Sequence, residues 1–281
     1  MIPRARAVPL APMLLLLLAA AACGAGAPAG AAAEDPPAPA AEAEAETAPQ
    51  AGAPGTAASD AAADQAVHEI LGQGIDLSSH VGTVDWQAIR AAGHTFAFIK
   101  ATEGMDLADP SFSGWWPEMK EAGIVRGAYH FYVTEDDPTA QAQFFISNVA
   151  LEPGDLAPVV DVETLGHDTQ PGLPDRLRTF LSLLEAHYGV EPIVYTSPNF
   201  WNQNLGAGFG DHPLWVAEYG VEAPTIPDGW TEWHLWQHTD DATVPGVETS
   251  ADLSNVNDSG VDLSVLVIPA PGQAPPAAGG P

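Results

Sequence analysis

The chain is short of positive charge and almost free of thiols. Its 281 residues carry eight Lys and Arg against 37 Asp and Glu, a formal net charge of -29. Such an excess of anions excludes nucleic acid as a partner, because phosphate binding depends on cationic side chains that displace counterions. A single cysteine, Cys23, excludes an intramolecular disulfide. Nine histidines are scattered without ligand spacing, so neither a metal site nor a cofactor is expected. The apolar run from Met13 to Ala22 is ten residues long, well short of the roughly 20 that a membrane-spanning helix needs.

What is present divides the chain into four parts. Arg4 and Arg6 precede the apolar run, and small residues follow it, so residues 1–22 have the composition of an export signal peptide. Cys23 follows Leu-Ala-Ala-Ala-Ala and resembles the cysteine of a bacterial lipobox, with Ala20 where leucine is usual. That resemblance implies a lipidated Cys23 and a membrane-anchored lipoprotein; ordinary cleavage near Ala22 would instead give an extracellular protein. Residues 23–71 are rich in Ala, Pro and Glu and are expected to form a disordered tether, extended by like charge. Residues 72–268 hold all eight tryptophans and dense aliphatic runs, enough for one barrel-sized core. Residues 269–281 are again low in complexity and are expected to form a disordered tail.

Within 72–268, apolar runs of strand length alternate with helical patterns, which is the signature of β/α units around a parallel sheet. GQGIDLSS, TFAFIKAT, VRGAYHFYV, LAPVVDVET and PIVYTS supply five strands. Between them, VDWQAIRAAG is expected to form a helix capped by Thr83, with Val84, Ile89 and Ala92 on its apolar face. PSFSGWWPEMKEAG forms a second helix, and Asp137-Pro138 starts a third. Leu173 to Tyr188 makes the longest, with Leu177, Phe180, Leu181 and Leu184 on one face and Gly189 as its stop. PLWVAEY, WTEWHLWQHT and TSADLSN follow as strands joined by loops. The fold class is therefore α/β: an irregular TIM-like barrel of five β/α units plus three strands.

Reactive groups of such a barrel gather at the C-terminal ends of its strands. Asp76 ends the first strand, Asp161 and Glu163 the fourth, and Asp252 the eighth. The strand period of two sends Asp161 and Glu163 to the same side, about 7 Å apart, so VVDVE aims two acids at one site. Acids crowded by other anions hold their protons to higher pH, as a general acid for glycoside cleavage must. Tyr129, Phe131, Tyr195, Trp215, Tyr219 and Trp236 cluster near the same strand ends and offer faces for sugar rings, while Glu218 and Gln237 offer hydrogen bonds to hydroxyls. His130 alternates away from Tyr129 and Phe131.

GIDLSSH, FAFIKATEG, DPSF, GAYHFY, VVDVE, PIVYTSPNFW, PLWVAEY and WHLWQHT, in this order, resemble the blocks of glycoside hydrolase family 25, the Chalaropsis-type lysozymes. The resemblance runs from about Gly74 to Asn257. It implies cleavage of the β-1,4 bond between N-acetylmuramic acid and N-acetylglucosamine in peptidoglycan. It also implies Glu163 as proton donor, with Asp161, Asp76 and Asp252 around the scissile bond. Asp252-Leu253-Ser254 stands where the family has Asp-Leu-Asn. A monomer working on glycan strands outside the membrane is the expected form. Two other readings share the barrel: a non-catalytic peptidoglycan-binding lipoprotein, and a different barrel glycosidase such as a chitinase.

Overall fold

A computed structural model describes residues 56–273. The expectations for the signal peptide, Cys23, most of the tether and most of the tail concern residues outside that range.

Eight strands close into a barrel: β1 (Gln73–Leu77), β2 (His94–Glu103), β4 (Val125–Phe131), β5 (Val159–Asp161), β6 (Ile193–Thr196), β7 (Leu214–Ala217), β8 (Leu235–Ala242) and β9 (Ala251–Val256). A two-residue strand, β3 (Leu107–Ala108), folds back on the end of β2 as an edge hairpin. Neighbouring strands from β1 through β8 pair in parallel, whereas β9 runs antiparallel to both β8 and β1. Five β/α units followed by three strands is the predicted order.

The helices between strands are set by local signals. Helix α2 (Trp86–Ala91) is capped by Asp85, whose side chain accepts from Ala88 N at 3.0 Å. Thr83, the expected cap, instead donates its backbone N–H to Glu248. Asp85 lies one residue before the first helical residue, where a cap must lie, and Thr83 lies too far upstream. Helices α3 (Phe112–Glu121), α4 (Pro138–Asn148, capped by Asp137) and α5 (Leu173–Tyr188, stopped by Gly189 at φ 75°) follow the predicted segments. A short helix α6 (Pro198–Asn204), with Ser197 as cap and Pro198 in its first turn, completes the fifth unit. That Ser-Pro pair is the start signal the strand pattern masked.

Period-two alternation fills the barrel. Phe96, Phe98 and Lys100 on β2 face inward, as do Val159 and Asp161, Ile193 and Tyr195, and Leu235 and Gln237. The two phenylalanines occupy space that neighbouring strands must surrender. A Cβ on Gly74 would lie 2.0 Å from the Phe96 ring, and one on Gly127 would lie 2.2 Å from Phe98. On the outer face, Ala128, His130, Val160, Val194 and Val216 meet the helices, with His130 stacked on Phe180 of α5 at 4.9 Å. Burial lowers the His130 pKa to about 4. The neutral ring donates from Nε2 to Gln141 and accepts at Nδ1 from Thr102. It is a structural histidine.

The N-terminal pole of the barrel is covered by a helix that composition alone had assigned to the tether. Helix α1 (Thr56–Glu69) puts Ala63 and Ala66, with Ile70 just beyond it, against Leu156, Val190 and the segment Leu263–Ile268. Alanine has the best helix propensity, and its small side chain permits close packing, so an Ala-rich stretch need not be a linker. Ile268 and Ala270 are buried as well, which carries the folded region past the expected boundary at 268. Ile70 is fully buried. Ile70→Ala is expected to lower the unfolding free energy by about 2–4 kcal/mol, measured by urea denaturation; no loss would mean that this segment is not part of the folded domain.

Candidate active site

Ten side chains from all eight barrel strands and the loop after β5 converge on one open hollow of about 200 Å³ at the C-terminal pole. Asp76 enters from β1, Asp161 from the end of β5, Glu163 two residues on, and Asp252 from β9. The backbone stays extended beyond β5, with Val162 N bonded to Tyr195 O at 3.0 Å and Val162 O accepting from Thr196 Oγ1 at 2.8 Å. Glu163 therefore keeps to the Asp161 side, as the alternation required. Asp252 arrives differently from expectation: it lies near the start of its strand, not at the end. Because β9 is antiparallel, its start is at the mouth, and Asp252 pairs directly with Asp76 in the register.

The four acids differ in exposure. Asp161 is buried at 8% exposure, Asp76 and Asp252 are half-buried, and Glu163 is exposed at the rim. Asp76 Oδ1 and Asp161 Oδ1 have no hydrogen-bond partner among the described residues. Withdrawal from water is the largest influence on each acid and raises its pKa. Asp161 is pushed well above the ordinary carboxylate range by burial, then by Glu163 and Asp76, with Lys100 opposing. Asp76 is raised well by burial and by the charge of Asp252, against a hydrogen bond from Gln237. Glu163 is raised by partial burial of its carboxyl and by Asp252, again against Lys100. Asp252 is raised by burial, and an interaction with Asp76 opposes the rise.

Lys100 is the site residue that motif reading passed over. It is buried, lies 4.9 Å above the Phe131 ring and pairs with Glu103. Phe96, Phe98 and Lys100 at every second position were the available signal, since they place the lysine in the same inward column. It is the one cation in the hollow. All six lysines and arginines of the described residues are engaged by carboxylates, Arg126 through Asp155 at 2.7 Å for example.

Four predicted aromatics line the hollow, in two ways. Tyr129 and Phe131 are half-buried on its wall, while Tyr195 and Trp215 are buried as its floor, with centroids 4.8 Å apart. Three other predicted residues do not line it, one of them Tyr219, whose hydroxyl donates to Gln237 Oε1 at 2.5 Å. Trp236 adjoins Gln237 on β8, and alternation sends it outward, where its Nε1 donates to Glu218 O at 2.8 Å. Glu218 turns its carboxylate to Thr225, accepting from the backbone N at 2.6 Å. Gln237 is in the hollow but is only 1% exposed, and its amide is occupied by side chains of the protein.

The sequence model of Glycosyl hydrolases family 25 matches residues 75–247, ending before β9 and Asp252. Lysozyme M1 of Streptomyces globisporus is 34% identical over 207 residues, which cover 69% of this chain and 70% of that one. The N,O-diacetylmuramidase of Chalaropsis sp is 32% identical over 185 residues, covering 60% and 88%. The crystal structure of the bacterial lysozyme from Streptomyces coelicolor aligns with a TM-score of 0.61 at 32% identity, covering 69% of this chain and 96% of that one.

The crowding of acids sets a sign for stability. A carboxyl whose pKa is raised in the folded state contributes stability below its ordinary pKa and loses it as pH rises through the raised value. Asp161→Asn removes one such charge. It is expected to raise Tm at pH 7 by roughly 2–4 °C, equivalent to about 1 kcal/mol in a domain of this size. The gain should vanish near pH 4, close to the ordinary pKa of about 3.9. Scanning calorimetry at the two pH values measures it, and a lower Tm at pH 7 would contradict it.

Proposed function

Because the chain belongs to glycosyl hydrolase family 25, we propose that it is a lysozyme, an N-acetylmuramidase that cleaves the β-1,4 bond between N-acetylmuramic acid and N-acetylglucosamine in peptidoglycan. The observation that carries this reading is the meeting of four carboxyl groups from β1, β9 and the end of β5 in one sugar-sized hollow. Glycoside cleavage needs a proton donor at the leaving oxygen and negative charge near the oxocarbenium-like transition state. Glu163 is the general acid: it stands exposed at the rim, within reach of a bound strand, and its raised pKa keeps its proton to higher pH.

Asp161 lies deeper, and its side chain lines the same hollow. It fits the N–H of the substrate's 2-acetamido group. Glu163 protonates the glycosidic oxygen as the bond to C1 breaks, and the acetamido carbonyl oxygen closes on C1 to give an oxazolinium ion. Water then adds to C1, returning its proton to Glu163. Asp76 and Asp252 supply negative charge opposite the developing cation.

Peptidoglycan lies outside the cytoplasmic membrane, so this activity requires export. Residues 1–22 have the composition of the leader, and Cys23 is the point at which a lipid would tether the monomeric enzyme.

Glu163→Gln is expected to cut the release of new reducing ends from purified peptidoglycan by at least about a thousandfold, with unchanged thermal unfolding; near-normal release would refute the assignment. Mass spectrometry of wild-type digests should show fragments ending in N-acetylmuramic acid, and ends in N-acetylglucosamine would rule out a muramidase. Charge gives a separate expectation. Raising ionic strength from about 0.01 to 0.15 M shrinks the Debye length from about 30 to 8 Å. Hydrolysis of the anionic wall should then rise several-fold, while a neutral soluble oligosaccharide shows no such gain.

A further inference from the structure

Gln237 is buried at the centre of a hydrogen-bond set that ties four strands and a mouth loop together. Its Oε1 accepts from Tyr195 Oη at 2.8 Å and from Tyr219 Oη at 2.5 Å. Its Nε2 donates to Asp76 Oδ2 at 2.8 Å and to Asp252 Oδ2 at 3.3 Å. Its backbone carbonyl accepts from Glu218 N at 3.2 Å, which fixes the loop carrying Tyr219 to β8. Both lone pairs of the amide oxygen and both amide protons are thus committed within the protein.

Only one orientation of the amide serves these partners well. An ionised carboxylate cannot donate, so an amide turned the other way would set its oxygen against two acceptors unless Asp76 and Asp252 were both protonated. Burial raises the pKa of both tyrosines, which keeps their hydroxyls as donors throughout the working range. The tyrosines select the amide orientation, and the amide then presents two N–H donors to two acids that face each other across the β1–β9 pairing.

We infer that Gln237 is a positioning residue: through its tyrosine-oriented amide it holds the carboxyl groups of Asp76 and Asp252 in place and favours their ionised forms. The inference rests on the muramidase reading of the same site. It replaces the role that sequence suggested, a hydrogen bond to sugar hydroxyls, for which the amide has no free group. The ionisable groups around the pair are Asp161 at the end of β5, Glu163 two residues beyond it, Lys100 on β2, and Asp240 and His238 on β8 itself. Tyr129 adds a fourth side, from β4. Lys100 is the only permanent cation among them; the amide donors favour charge on Asp76 and Asp252, and on Asp252 an interaction with Asp76 does the same.

The test is the pH profile of kcat/KM for Gln237→Met, nearly isosteric but without donors, and for Tyr219→Phe, which loosens the amide from a half-exposed ring. A donor lost from a carboxylate makes it easier to protonate. The acid limb of the Gln237→Met profile should therefore move up by about one pH unit, with kcat down about ten- to a hundredfold and KM changed less than twofold. Tyr219→Phe should shift the limb in the same direction by less, and it serves alone if Gln237→Met does not fold. An unshifted limb in both variants, or a raised KM with unchanged kcat and profile, would overturn the inference. Wild-type enzyme that releases no reducing ends at any pH would instead sink the muramidase reading on which it stands.

Discussion

The antiparallel closure by β9 is the constraint on which the site depends. An eight-stranded barrel of parallel strands presents the ends of all its strands at one pole, but β9 presents its beginning there. Asp252 reaches the mouth for that reason alone, and the register sets it opposite Asp76. The same pairing holds Ser254 where it accepts from the buried Trp215 indole at 3.0 Å, so closure of the barrel and assembly of the acids are one event.

Closure brings carboxylates together at an electrostatic cost. Each of the four acids has a raised pKa, with burial as the first cause in every case. The barrel tolerates this because its walls are fixed by packing elsewhere: Phe98 against Trp215 at 4.5 Å below the site, and a helix layer anchored by Phe180, Leu181 and Leu184 outside it. The charge is relieved only locally, by buried Lys100 and the two N–H donors of Gln237. The remaining cations of the described residues are paired away from the hollow, among them Arg126 with Asp155 and Arg176 with Asp168. The strain of the acids is thus a property of the hollow that the rest of the fold holds in place, as expected where function opposes stability.

Much of this was legible in order and alternation. VVDVE placed Asp161 and Glu163 on one side, and the extended backbone after β5 keeps them there. Tyr129, Phe131, Tyr195 and Trp215 were assigned to the mouth and line it. Alternation was also the source of the errors when applied loosely: Trp236 and Gln237 are adjacent on one strand, so both could not face inward, and Trp236 turns out to meet Glu218. Helix α1 was hidden because composition treats alanine as uninformative, although Ala63, Ala66 and Ile70 make a stripe with helical spacing. Thr83 was taken for a cap because cap preference is shared by several polar residues, and only the backbone geometry distinguishes it from Asp85.

What the sequence by itself determined is the set of strands, the helices between the first five, and the identity of the acids, because these follow from residue type at short spacing. Tertiary structure decided which way β9 runs, which acids are sheltered and which is exposed, and that the Gln237 amide is taken up by tyrosines and acids of the protein. Those depend on partners 15 to 161 residues away in the chain, and no periodicity within one segment carries information about a neighbour that only barrel closure supplies.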